Sequence, residues 1–88
     1  MEDIKVFDIV ESLAGHDKGR LYVVLETDEN YLMLVDGKIR TLQNPKRKKR
    51  RHAAKVCADL PELTDMAANS EIKKVLVRAR GNFDRGGK

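Results

Sequence analysis

Six consecutive cations, Lys46-Arg47-Lys48-Lys49-Arg50-Arg51, followed by His52, interrupt a chain of 88 residues. Adjacent positive charges repel one another, so the run is expected on the surface, facing water or a polyanion, and not in a packed core. Its surroundings sharpen that constraint. Residues 38–55 carry nine cations and no carboxylate, whereas residues 1–37 carry three cations against nine acids and residues 56–88 six against five. A cationic patch therefore sits in the middle of an otherwise near-neutral or acidic chain, an asymmetry that points to a localised polyanion site.

The length allows one domain, which buries only about 60–65% of the surface its unfolded chain exposes. Aromatic residues are scarce (Phe7, Tyr22, Tyr31 and Phe83, with no Trp), so aliphatic side chains must build the core. The single cysteine, Cys57, has no partner for an internal disulfide and lies in an apolar-flanked segment, where a buried structural thiol is expected. The N-terminus does not resemble a signal peptide, and no apolar run approaches the ~20 residues of a membrane helix. A soluble cytoplasmic protein is expected. His16 and His52 with one Cys make no zinc constellation, and no nucleophile–base pair or paired carboxylate stands out. Neither an enzyme nor a cofactor nor a metal site is expected.

The first half reads as short strands divided by turns. Ile4, Val6, Ile9 and Val10 with Leu13 form an irregular opening strand that ends at Ala14-Gly15. The loop Gly15-His16-Asp17-Lys18-Gly19 follows, its terminal glycines suited to backbone angles closed to other residues. Arg20–Thr27 and Tyr31–Val35 are strands separated by a turn at Asp28-Glu29-Asn30. Asp36-Gly37 is a hairpin signal leading into a fourth strand, Lys38-Ile39-Arg40-Thr41-Leu42, with period-two alternation. Residues 21–25 and 31–35 are continuously apolar, so both faces of the sheet must be covered there. The cover is expected from a helix that starts at Asn69 or Ser70 and runs to about Ala79, with Ile72, Val75, Leu76 and Ala79 on one stripe. Val56, Ala58 and Leu60 suggest a fifth strand, Pro61 breaks it, and Glu62–Met66 form a short turn or helical piece. Residues 1–80 then make one domain and 81–88 a flexible tail.

Pro45 removes a ladder donor, so the basic run is expected to leave the sheet after strand four. Arg supplies planar forks and Lys mobile point charges for phosphate oxygens. Lys38 and Arg40 extend the patch onto the preceding strand, Lys55 onto the following one, and Lys18 and Arg20 onto the glycine-hinged loop. If about six phosphates are contacted, binding weakens roughly 10³-fold between about 50 and 200 mM salt. The same run also fits a basic nuclear-import peptide. The loop is not a P-loop, because no Gly-Lys-Ser/Thr follows and the chain proceeds to a strand. His16 is expected to be exposed, and Asp17 to be a turn residue or a partner of Lys18.

The stretch Val10-Glu11-Ser12-Leu13-Ala14-Gly15-His16-Asp17-Lys18-Gly19-Arg20-Leu21-Tyr22-Val23-Val24 resembles a KOW motif, with its central glycine at Gly19. That motif is the strand–loop–strand element of ribosomal proteins and NusG-type transcription factors. With Leu34-Val35-Asp36-Gly37-Lys38-Ile39-Arg40 and Asn44 to His52 in order, residues 6–56 are similar to the small bacterial KOW-domain RNA-binding proteins. Those are related to a KOW-bearing large-subunit ribosomal protein of archaea and eukaryotes. The C-terminal third matches loosely, through a terminal helix. A glycine often opens a KOW strand, and here Phe7 and Asp8 stand in its place.

The resemblance implies a mainly β fold, an SH3-like barrel with a C-terminal helix packed against it, that binds RNA on or near the ribosome. The expected RNA contacts are Lys18, Arg20, Lys38, Arg40, Lys46, Arg47, Lys48, Lys49, Arg50, Arg51, His52 and Lys55; the loop counterpart is Gly15, His16, Asp17 and Gly19. A monomer is expected, with ribosomal RNA and ribosomal proteins as partners. With few aromatic residues, recognition is expected to follow the shape of structured RNA, and Tyr22, Tyr31 and Phe7 are expected in the core. The rival reading is a protein-interaction module whose basic run docks an acidic surface or serves as a targeting peptide.

Overall fold

The computed structural model describes residues 4–57 and 69–86. The strands are β1 (Ile9–Ser12), β2 (Leu21–Thr27), β3 (Tyr31–Val35), β4 (Lys46–Lys49) and β5 (Ala53–Cys57), and a helix α1 spans Asn69–Gly86. They form one antiparallel sheet in the order β4-β3-β2-β1-β5, open in its hydrogen-bonding pattern. Thus the mainly β character and the C-terminal helix are as expected.

β4 and β5 lie at opposite ends of that order, yet only a 3-10 turn, Arg50–His52, separates them. In a flat sheet four strand spacings would hold them ~19 Å apart, while a link this short spans ~14 Å at full extension. The sheet must curl strongly. The turn is bonded to both sides of the curl: the Arg50 amide donates to the Asn30 carbonyl at 2.9 Å, and the Leu13 amide to the His52 carbonyl at 2.8 Å.

The curl makes two cores from one sheet. Val10, Tyr22, Val24, Leu32 and Leu34 pack on the concave side with Ile4 and Ala53. Ile9, Leu21, Val23 and Val35 face the other way, onto Ile72, Val75, Leu76 and Ala79 of α1. The register agrees: Ile9 lies opposite Val23 and Val23 opposite Val35, in one row toward the helix. This is why residues 21–25 do not alternate in hydropathy: each side of the strand meets a core. Strict alternation beyond Val24 would aim Glu26 inward. Instead Val24 pairs with Leu34 and Glu26 with Met33, so Leu25 is an extra residue and Glu26 stays exposed. A bulge of this kind also adds twist.

Four expectations about the elements require correction. The opening strand is only Ile9–Ser12, because Phe7 has φ 72 and the Asp8 amide turns back to the Lys5 carbonyl. Residues 38–42 form no strand. The Asp36 carboxylate accepts the amides of Lys38 (2.9 Å) and Arg40 (2.8 Å), which removes the donors a ladder would need. The basic run does not leave the sheet but forms its fourth strand, entering immediately after Pro45. The helix passes its expected end near Ala79 and continues through Gly81 to Gly86. One glycine costs a helix about 1 kcal/mol without removing its backbone bonds, so Gly81 does not end it. Ala58, Leu60, Pro61 and Glu62–Met66 lie outside the described residues. Cys57 is the last residue of β5. No helix among the described residues is long and apolar enough to cross a membrane.

The Asp36–Arg40 loop is also where the helix docks. Of the two residues at the expected helix start, Asn69 or Ser70, the Asn69 side chain accepts the Leu42 amide at 2.8 Å, and its carbonyl lies against Gly37. Gly37 has φ 77, and a Cβ there would run into the Asn69 carbonyl. Gly19 has φ 90 but open space around it. Gly37→Ala should therefore destabilise the fold by about 2–4 kcal/mol and Gly19→Ala by only about 1–2 kcal/mol. Urea midpoints of the two variants test this, and the reverse order would show that the Gly37 turn does not carry the helix.

Candidate nucleic-acid interface

A strand sends alternate side chains to opposite faces, and β4 applies this rule to a run of cations. Lys46 and Lys48 lie opposite Leu34 and Leu32, whose side chains are in the inner core; Arg47 and Lys49 lie opposite Met33 and Tyr31 on the outer face. The expectation that the whole run faces solvent is therefore wrong for its inward half. Lys48 is only 9% exposed.

Asp17 makes that burial possible. Its carboxylate is 3.0 Å from Lys48 Nζ and 3.1 Å from Lys46 Nζ, and it accepts hydrogen bonds from Ser12 Oγ (2.8 Å) and the Tyr22 hydroxyl (3.0 Å). Lys48 Nζ also donates to the Ala14 carbonyl at 3.0 Å. The glycine-hinged loop positions the carboxylate. Gly15 and Gly19 both take positive φ, the Gly19 amide returns to the Ser12 carbonyl at 2.8 Å, and Asp17 is turned inward. Burial alone would raise the Asp17 pKa, but bonds from Ser12, Lys48, Lys46 and Tyr22 outweigh it and hold the carboxyl well below the ordinary range. Tyr22 responds oppositely. Burial, and then the Asp17 charge, push its phenol up to about 12. So Asp17 pairs with Lys46 and Lys48, 29 and 31 positions away, and not with Lys18, which is exposed as His16 is.

The other expected contacts divide in the same way. Lys55 lies 3.3 Å from the buried Asp8 carboxylate. Arg50 donates from Nε to the Asp28 carbonyl (2.7 Å) and from a terminal nitrogen to the Ile4 carbonyl (3.1 Å), which fixes it as a brace of the closing turn. Arg20 stands 4.0 Å from Asp36. Lys18, Lys38, Arg40, Arg47, Lys49 and Arg51 have no carboxylate partner among the described residues. His52 is half-buried and contributes its carbonyl to the closure. Lys38 and Arg40 project from a loop, not from a strand as expected.

Arg47, Lys49 and Arg51 follow one another at every second position along the edge strand and its turn, and all three are exposed. Beside them, Tyr31 belongs to neither core; its ring carries the Arg47 guanidinium 3.8 Å from its centroid. Tyr31, Lys49, Arg51, Lys55, Ala53 and Ala54 line an open cleft of about 970 Å³ between the two ends of the curled sheet. Asp28 shapes the adjoining turn by accepting the amides of Tyr31 (2.8 Å) and Asn30 (2.9 Å), bonds that lower its pKa. At the other end of the interface Arg80 of α1 donates to the Gly19 carbonyl, tying the helix to the loop.

Sequence reasoning missed Asp17 as a hub, together with Ser12, Tyr22 and Asp8. One signal was present: an acid inside a glycine-flanked loop is the charge partner a buried lysine would need. Among the described residues no group of three His, Cys, Asp or Glu is placed to hold a metal ion. In comparisons with known proteins, the chain matches no family model and no curated protein sequence.

Replacing Asp17 by Asn keeps the shape but leaves two inward lysines without their carboxylate, at an expected cost of about 3–5 kcal/mol. A carboxyl depressed in the folded state stabilises fully above its unfolded pKa of about 4 and loses that contribution as pH falls below it. Urea melts from neutral pH down to about pH 2 should show Asp17→Asn less stable at neutrality, with a flatter acid limb than the native chain. Parallel acid limbs would contradict the assignment.

Proposed function

We propose that the curled sheet is an SH3-like barrel of KOW type and that the protein binds structured RNA at the ribosome, as a monomer without enzymatic activity. The observation that carries this reading is the outward row Arg47, Lys49 and Arg51. These charges stand on a hydrogen-bonded strand and its turn, with no carboxylate partner among the described residues, while the inward lysines share the Asp17 carboxylate. Further support comes from the strand–loop–strand geometry of residues 9–27, whose loop glycines take positive φ, and from the short turn that brings the sheet ends together. Phe7, which stands where KOW strands often carry glycine, has φ 72, a conformation glycine adopts without strain.

The mechanism is phosphate neutralisation from a preformed edge. Arg47 is steadied by the Tyr31 ring, so its planar fork loses less freedom on meeting a phosphate. Lys18, Arg20, Lys38 and Arg40 lie on the two loops joined at Arg20–Asp36 and extend the positive surface beyond the strand. The electrostatics are smaller than the linear run implies. Three outward cations give a loss of roughly 20–40-fold between about 50 and 200 mM salt, not the ~10³-fold of six contacts.

Binding to ribosomal RNA, measured by fluorescence anisotropy across salt, tests the reading, with co-sedimentation on ribosomal subunits as its cellular counterpart. Replacing Arg47, Lys49 and Arg51 together by Ser should reduce the salt slope by about 2–3. Lys48→Met should leave the slope unchanged, because its charge faces Asp17. Affinity that ignores both salt and the triple substitution would refute RNA binding. Co-sedimentation on subunits together with salt-insensitive affinity for the naked RNA would favour a protein-docking module.

A further inference from the structure

We propose that the cleft between the Arg50–His52 turn, β3 and β5 receives a single unstacked nucleotide projecting from a structured RNA. This inference rests on the RNA reading and adds to it a site that phosphate neutralisation does not require.

A surface that only neutralises a duplex backbone needs charge and no depth. Here charge borders a concavity of about 970 Å³, within the size range of nucleotide-sized ligand sites. The lining is chemically divided. Ala53 and Ala54 give it a small apolar wall, Tyr31 supplies an aromatic ring, Lys49 and Arg51 stand at it in no ion pair among the described residues, and Glu29 adds a carboxylate to the lining. A base meets apolar and aromatic surface while its phosphates meet cations. Asn30 also lines the cleft, on a turn pinned by the Asp28 carboxylate, and its amide offers donors and acceptors to a base edge.

The ring is held for this task. Tyr31 lies directly opposite Lys49 in the β3–β4 register, so the aromatic surface and a phosphate-seeking ammonium are fixed on neighbouring strands. Arg47 rests on the ring, and a guanidinium stacked on an aromatic surface is itself a platform for a base. The walls do not depend on ligand for their form. The turn is bonded to both ends of the sheet, and Arg50 is braced by the Asp28 and Ile4 carbonyls. An acidic peptide would satisfy Lys49 and Arg51 but would leave the ring and the alanine wall without a matching group.

The experiment compares two RNA hairpins, one fully paired and one carrying a single-nucleotide purine bulge, with a fluorescent purine analogue in the bulge. The full chain should bind the bulged hairpin roughly 5–20-fold more tightly, with fluorescence changing as the base leaves water for the ring. Tyr31→Leu removes the ring and Ala54→Phe projects a bulky side chain into the cleft from its apolar wall. Each should bring the ratio of the two affinities to about one, with circular dichroism confirming the fold, and either variant suffices if the other does not fold. Equal, salt-dependent affinity of the native chain for both hairpins would overturn the nucleotide site while leaving RNA binding intact. Binding of neither hairpin would overturn the RNA reading itself. Binding of a polyglutamate peptide that Ala54→Phe abolishes, with neither RNA bound, would assign the cleft to an acidic protein surface.

Discussion

The buried Asp17 carboxylate is the point on which the rest of the molecule is organised. It sits on the glycine-hinged loop between β1 and β2, accepts a hydrogen bond from Ser12 at the end of β1 and another from Tyr22 on β2, and holds two lysines of β4. β3 lies between β2 and β4 in the sheet, so these contacts cross the interior of the curl and do not run along a ladder. Removing three ions from water is costly, and their mutual attraction offsets that cost only with good geometry. What the cluster adds beyond stability is register. A one-residue slip of β4 would turn Arg47 and Lys49 inward and Lys46 and Lys48 outward. The slipped strand would bring a long planar guanidinium to a site shaped for an ammonium, so Asp17 discriminates between two otherwise similar pairings of a nearly uniform basic strand.

Seen this way, a run of six cations is two surfaces interleaved. The inward members are structural and nearly invisible to a polyanion. The outward members keep their charge, and their spacing is that of a strand. Pairing of Lys48 with Asp17 lowers the effective charge of the run, and the backbone carbonyls that hold Arg50 fix where its charge stands. An edge strand lined with lysine and arginine also resists pairing with another chain, which matters for an exposed ladder beside a hydrophobic core.

What could be read from the sequence follows the range of the forces involved. β2, β3, the glycine-hinged loop and the apolar stripe of α1 were legible, because local hydropathy and local backbone requirements decide them. The fourth strand was not. Residues 38–42 alternate in hydropathy whereas 46–49 are uniformly cationic, and the choice between them is made by contacts distant in sequence: Gly37 against Asn69 and Lys48 against Asp17. Pro45 misled for a related reason. It ends a ladder when it lies within a strand, but here it precedes the first residue of one, a position where its missing donor costs nothing. In the candidate site, the outward cations were visible as charge, whereas the inward ones were indistinguishable from them until a partner 31 positions away was placed beside them.

The segment that closes the sheet is the same one that carries the exposed charge, which under the proposed function would set the energetics of binding. A basic peptide that leaves the fold and stays disordered must be ordered by its ligand, at about 1–2 kcal/mol per residue of backbone entropy. In this chain that entropy is lost on folding, when Lys46–Lys49 join β3 and the Arg50–His52 turn bonds to Asn30 and Leu13. The core and the Asp17 cluster bear the cost before any ligand arrives. Under the proposed function, a few well-placed cations then serve where a longer flexible run would first have to be ordered. The charge count of the sequence thus overstates the electrostatic contribution and understates the specificity available to it.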